Sequence, residues 1–148
     1  MGVETRIVAE PDSRSIVLTR TVNAPRNQVF EAWTRPEHVS RWWDPAGKPL
    51  AECAIDLRPG GAFRFANDRS AGQERFTGVY REIAPPERLV FESNGSIGTV
   101  EFNEDGDVTH IVVTIECEST AERDHFLKMG IDVGTARTLD NLARYLRR

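Results

Sequence analysis

Proton transfer is the chemistry this sequence could most readily offer, and the groups for it are few. Glu82 follows Tyr80 by two residues, so an unbroken strand places both on one face. A carboxylate there, desolvated against Phe65 or Phe76, would have the raised pKa a general base needs; pairing with Arg58 or Arg64 at a rim would do the opposite. The other candidates for moving or holding a proton are the hydroxyls of Tyr80, Thr135 and Thr138. His38, His110 and His125 stand apart from Cys, Ser and carboxylates at any metal or triad spacing, so neither a metal site nor a nucleophilic triad is expected. Gly60-Gly61 closes a strand-to-strand turn and lacks the helix N-terminus that a phosphate cradle uses. Cys53 and Cys117 occupy apolar registers of strands and are expected to be buried free thiols. No cofactor is called for.

Binding is the second kind of chemistry, and here the residues are more numerous. Trp33, Trp43, Phe63, Phe65, Phe76, Tyr80, Phe91 and Phe102 recur at inward registers, together with Ile111 and Val113. Facing them would be Ile131, Thr135, Thr138 and Leu139, on one stripe of a C-terminal helix. Two threonines and Gly134 interrupt that stripe where a filled core would carry Leu or Ile, which predicts a pocket between helix and sheet. Trp43, just before Asp44-Pro45, is placed to gate its mouth.

The elements that must position these side chains follow from periodicity. Residues 129–146 read as a long amphipathic helix, with Ile131, Leu139, Leu142 and Leu146 on one face and Asp132, Arg137, Asp140 and Arg144 on the other. Residues 1–14 are polar and read as an N-terminal arm, frayed or paired to an edge. Ser15–Val22 reads as the first strand. Asn23 offers an N-cap and Pro25 a first-turn residue for a helix to about Trp33, and Pro36 starts a second short helix over 37–43. Then come strands at 51–57, 62–67, 75–83, 88–93, 99–103 and 108–117, joined by Pro/Gly turns and an Asp-Gly hairpin. Residues 118–128 form a first helical segment before the last helix.

The class is therefore α+β, one domain over 1–148 with an antiparallel sheet gripping the last helix. A net charge of −4 and a pI near 5.4, without a basic run, give no footprint for nucleic acid or an anionic membrane. With no secretory leader and no long apolar run, a cytoplasmic chain is expected.

Three stretches carry a family resemblance: Val29 to Trp43, Asp56 to Phe65 and Thr77 to Phe91, and the segment Met129 to Leu142 continues it. Together they resemble the activator-of-Hsp90-ATPase-homologue-like family, within the helix-grip superfamily that includes START domains, Bet v 1-like plant proteins and polyketide cyclases. The resemblance implies a seven-stranded antiparallel sheet around the C-terminal helix, two short helices after the first strand, and a cavity between. It implies a hydrophobic small-molecule ligand for a sensor or carrier, an Hsp90-type co-chaperone or stress-related interaction module, or a cyclase or hydrolase using Glu82; the assembly would be a monomer or homodimer. The family usually has Trp at the position of Thr135, and often at that of Ser93, so two large rings are missing here from one interior.

Overall fold

The protein is described by a computed structural model over residues 5–66 and 76–146. Strands β1 (Arg6–Val8), β2 (Ser15–Val22), β3 (Glu52–Ile55), β4 (Ala62–Ala66), β5 (Phe76–Ala84), β6 (Arg88–Ser93), β7 (Ser96–Asp105) and β8 (Val108–Glu116) form one antiparallel sheet in the order β1-β2-β8-β7-β6-β5-β4-β3. Helices α1 (Arg26–Thr34) and α2 (Pro36–Trp42) lie between β2 and β3, and α3 (Thr120–Lys128) and α4 (Ile131–Leu146) follow β8.

The sheet has eight strands where seven were expected. The extra one comes from the N-terminal arm: Arg6, Ile7 and Val8 pair with Thr19, Leu18 and Val17, giving β2 a partner along its otherwise free edge. The cap of α1 also differs from expectation. Pro25, not Asn23, stands at the N-cap in extended conformation, and its carbonyl accepts from the amides of Gln28 and Val29. The strand β7 starts at Ser96 rather than Thr99, because Asn94 and Gly95, both at positive φ, close a two-residue hairpin that pairs Ser93 with Ser96. Asn67 and Arg75, the expected ends of two strands, lie outside the described residues.

Alternation along the strands sets the inner face. Ile16, Leu18 and Val22 of β2, Val100 and Phe102 of β7 and Ile111 and Val113 of β8 are buried against Val29 and Phe30 of α1 and Leu139, Leu142 and Leu146 of α4. Only the second half of α4 is deeply buried; Val133 in its first half is 48% exposed.

Two inward positions hold glycine for a steric reason. Gly78 stands opposite Phe63 and Gly98 opposite Phe91, and each ring lies over the facing backbone. A Cβ on Gly98 would come within 2.5 to 3.0 Å of three atoms of the Phe91 ring. One on Gly78 would meet the Phe63 ring and also the Glu92 carbonyl oxygen at 2.5 Å. A ring can tilt away more readily than a strand backbone can. Both Gly→Ala changes are therefore expected to destabilise, by about 1–3 kcal/mol, with Gly78→Ala the worse in urea unfolding.

Candidate functional site

The site is assembled where the α1–α2 corner meets the free-edge half of the sheet. Arg35 is extended and ends α1, and Pro36 starts α2 at once, so two helical turns meet at a sharp angle. Trp42 locks that corner: its side chain is fully buried, its indole N–H donates to the Ala32 carbonyl at 3.0 Å, and its ring lies 4.9 Å from that of Trp33. Trp33 in turn packs edge-on against Phe102 at 5.7 Å, which ties the corner to β7. The next residue, Trp43, points along the sheet and rests on Phe65 at 5.0 Å and Phe76 at 5.3 Å.

Phe63 is the hub of the sheet side, with the rings of Phe65, Phe76, Tyr80 and Phe91 between 5.2 and 5.6 Å away. Trp33, Trp43, Phe63, Phe65, Phe76, Tyr80 and Phe91, with Val39 and Leu89, line a half-open cavity of about 20 Å³, roughly the space of one water molecule. Among the described residues no charged side chain is in this wall. Val39 and Leu89 were absent from the sequence-derived set, although both were signalled: Val39 stands three and four residues before Trp42 and Trp43 in a helix, and Leu89 alternates with Phe91 in a strand.

The remaining expected site residues lie elsewhere. Phe102 is buried beneath Trp33 and Phe30, and Ile111, Val113 and Leu139 belong to the core between β8, α1 and α4. The polar stretch of α4 faces the α2–β3 connection. Thr138 donates to the Trp43 carbonyl at 3.0 Å as well as to Gly134, Asn141 Nδ2 donates to the carbonyls of Asp44 at 2.8 Å and Trp42 at 3.4 Å, and Gly134 looks towards Pro45. Thr135 turns its hydroxyl back to the Ile131 carbonyl at 2.8 Å, and Ile131 is half-buried at the start of the helix. Ser93, the other position without its aromatic, donates to the Thr77 carbonyl at 2.6 Å.

Glu82 needs a correction. Between Tyr80 and Glu82 the β5–β6 register shifts: Tyr80 pairs with Phe91, Glu82 with Val90 and Ile83 with Leu89. The extra residue turns Ile83 inward and Glu82 to the outer face. There Glu82 forms a half-exposed ion pair with Arg88 at 3.0 Å, while Arg58 and Arg64 serve Asp56 and Glu52. Glu82 thus has no access to the cavity.

Both cysteines are free thiols, but only Cys117 is buried; Cys53, expected to be buried, is half-buried on the β3 edge strand. Burial, with a smaller push from the Glu37 carboxylate, moves the Cys53 thiol up to about 11, and burial raises the Tyr80 phenol, with Cys53 adding to it. Cys117 is raised by burial and by Glu122, against the opposing Arg123. His38 bonds through Nδ1 to the Tyr145 hydroxyl, and His125 lies exposed on α3. His110 does stand between a hydroxyl and a carboxylate, Thr21 at 2.7 Å and Asp105 at 3.1 Å, a chain assembled from three strands on the open outer face. Among the described residues no group of three His, Cys, Asp or Glu could hold a metal, and no helix is long and apolar enough to cross a membrane.

Comparison with known proteins places these features. A family model described as activator of Hsp90 ATPase homolog 1-like protein matches residues 23–147. Curated protein sequences yield no match. Among solved structures, a protein of Rhodobacter sphaeroides superposes with a TM-score of 0.84 at 21% identity, covering 97% of this chain and 98% of that one. One from Nitrosomonas europaea gives 0.82 at 22%, covering 90% and 94%, and CalU16 of Micromonospora echinospora gives 0.68 at 25%, covering 98% and 86%. These likenesses support the α+β fold with a sheet around helices.

Two measurements test the local account. Thr138→Val should cost roughly 1 kcal/mol and Asn141→Ala about 1–3 kcal/mol in thermal unfolding, since buried carbonyls of the α2 end lose their donors. Iodoacetamide at about pH 8 should alkylate Cys53 roughly a hundredfold more slowly in the folded than in the unfolded chain, because thiolate is depleted; the folded rate should rise with pH toward about 11.

Proposed function

We propose a ligand-binding function, and its premise is membership: the chain belongs to the activator of Hsp90 ATPase homologue 1-like family. The protein takes up an apolar, ring-containing small molecule between the α1–α2 corner and strands β4, β5 and β6, as a carrier or sensor. One observation carries this reading: seven aromatic rings, Val39 and Leu89 converge on one space, and none of these described wall residues carries a charge. A wall of this kind favours apolar guests and offers nothing to a hydrated ion.

The space is too small for such a guest as it stands, so a wall must yield. Trp43 is that wall. Its backbone carbonyl is fixed by Thr138, but its half-buried indole is held by ring contacts to Trp42, Phe65 and Phe76 and makes no hydrogen bond among the described residues. A change of rotamer would free an indole-sized volume without moving a helix. Among the described wall residues the Tyr80 phenol is the one ionisable group, and Glu82 is turned outward, so these residues offer acid–base catalysis little to work with.

Naphthalene is a suitable probe, followed by tryptophan fluorescence. Trp43→Ala should tighten its binding about tenfold and Leu89→Phe should weaken it about tenfold, by enlarging and filling one and the same space. Affinities equal to that of the wild type in both variants, or no binding to any of the three, would refute the assignment.

A further inference from the structure

The polar side-chain groups in the cavity wall are the Tyr80 hydroxyl and the indole N–H groups of Trp33 and Trp43. Tyr80 is 4% exposed, yet its hydroxyl bonds to no described residue. The Tyr80 oxygen is not among the buried, unpartnered side-chain atoms of the described residues, so a guest that reaches it gains one hydrogen bond and relieves no stored desolvation cost. The two indoles add donors and no acceptor, and they too lack hydrogen bonds to described residues. Resting on the reading of this cavity as a ligand site, we propose that Tyr80 selects an apolar ring compound bearing a hydrogen-bond acceptor oxygen, with an aryl ketone as the simplest case.

Three further features favour this arrangement. Tyr80 is fixed at the strand level: its amide donates to the Gly61 carbonyl at 2.9 Å, and its own carbonyl accepts from Gly60 at 2.7 Å. Its ring packs against that of Phe63 at 5.2 Å with the planes inclined by 51°, so the hydroxyl is carried on a ring held from the side. Burial keeps the phenol protonated, and it therefore remains a donor across the neutral range. A single water in the cavity would find few polar partners, which leaves the hydroxyl available to a guest. Among the described wall residues a carboxylate guest would meet no cation and an ammonium guest no counter-charge.

Two probes of nearly identical shape test the idea on the full chain: 2-acetylnaphthalene, with a carbonyl, and 2-isopropenylnaphthalene, with a methylene in its place. The ratio of their affinities should favour the ketone more in the wild type than in Tyr80→Phe, by roughly two- to tenfold, the worth of one net hydrogen bond. The infrared carbonyl stretch of the bound ketone should also lie lower in the wild type than in an apolar solvent, and should stay lowered in Trp33→Phe and Trp43→Phe, which assigns the donor to Tyr80 even if Tyr80→Phe folds poorly. An unchanged ratio with both probes bound, or an unshifted stretch, overturns the role of Tyr80 and leaves the cavity standing. Failure of both probes to bind the wild type overturns the cavity itself, and this inference with it.

Discussion

A helix that stops inside a protein leaves carbonyls with nothing to bond, and the end of α2 is the place where this chain meets that constraint. The carbonyls of Trp42, Trp43 and Asp44 all point at α4, where Asn141 and Thr138 donate to them. Asn141 is itself held by Arg144, and Asp44 accepts the amide of Lys48 through its side chain, so the turn is braced from both sides. Each bond contributes only about 1 kcal/mol net, but an unpaired buried carbonyl costs more than that. The brace fixes the backbone from which Trp43 hangs. Without it the α1–α2 corner would have no defined distance from β4 and β5, and the aromatic enclosure would have no fourth side.

Much of this was legible in the residues, and the parts that were not share a cause. The elements, their order and the aromatic wall follow from periods of 2 and 3.6 and from turn chemistry, as the near-coincidence of β2, α1, α2, β6 and β8 with their expected spans shows. Periodicity reports that a face is covered; it does not report by what. Thr138 and Gly134 were therefore read as a gap opposite the sheet when they lie against the α2–β3 connection. Glu82 was misplaced for a related reason: a single bulged residue reverses every later side chain in a strand, and the sequence signal for it, apolar Ile83 three residues after Tyr80, is slight. β1 realises the edge pairing that was one of the two expectations for the arm; at three residues in a polar stretch it is below the length at which alternation can fix its bounds.

The family match and the structural likenesses establish lineage and architecture, and the chemistry of the interior has to be argued from this chain's own side chains. Here that interior is distinctive in a definable way. At Thr135 and Ser93, where the resemblance led us to expect tryptophan, both hydroxyls are turned to backbone carbonyls. The enclosure closes instead around Phe63, whose ring occupies the space that a side chain on Gly78 would need.

The chain of indoles at the α1–α2 corner has an optical consequence. Trp33, Trp42 and Trp43 follow one another at 4.9 and 5.7 Å with ring planes inclined by 60° and 61°. Transition dipoles so close and so skewed couple, and the three absorb as one chromophore. Its circular dichroism is an exciton couplet overlapping the far-ultraviolet bands of the backbone, so the helix content read from such a spectrum is biased by side chains that belong to no regular hydrogen-bond ladder. The same coupling makes the spectrum a direct gauge of Trp43: when that ring leaves its neighbours, the couplet shrinks to the Trp33–Trp42 pair while the peptide signal stays as it was.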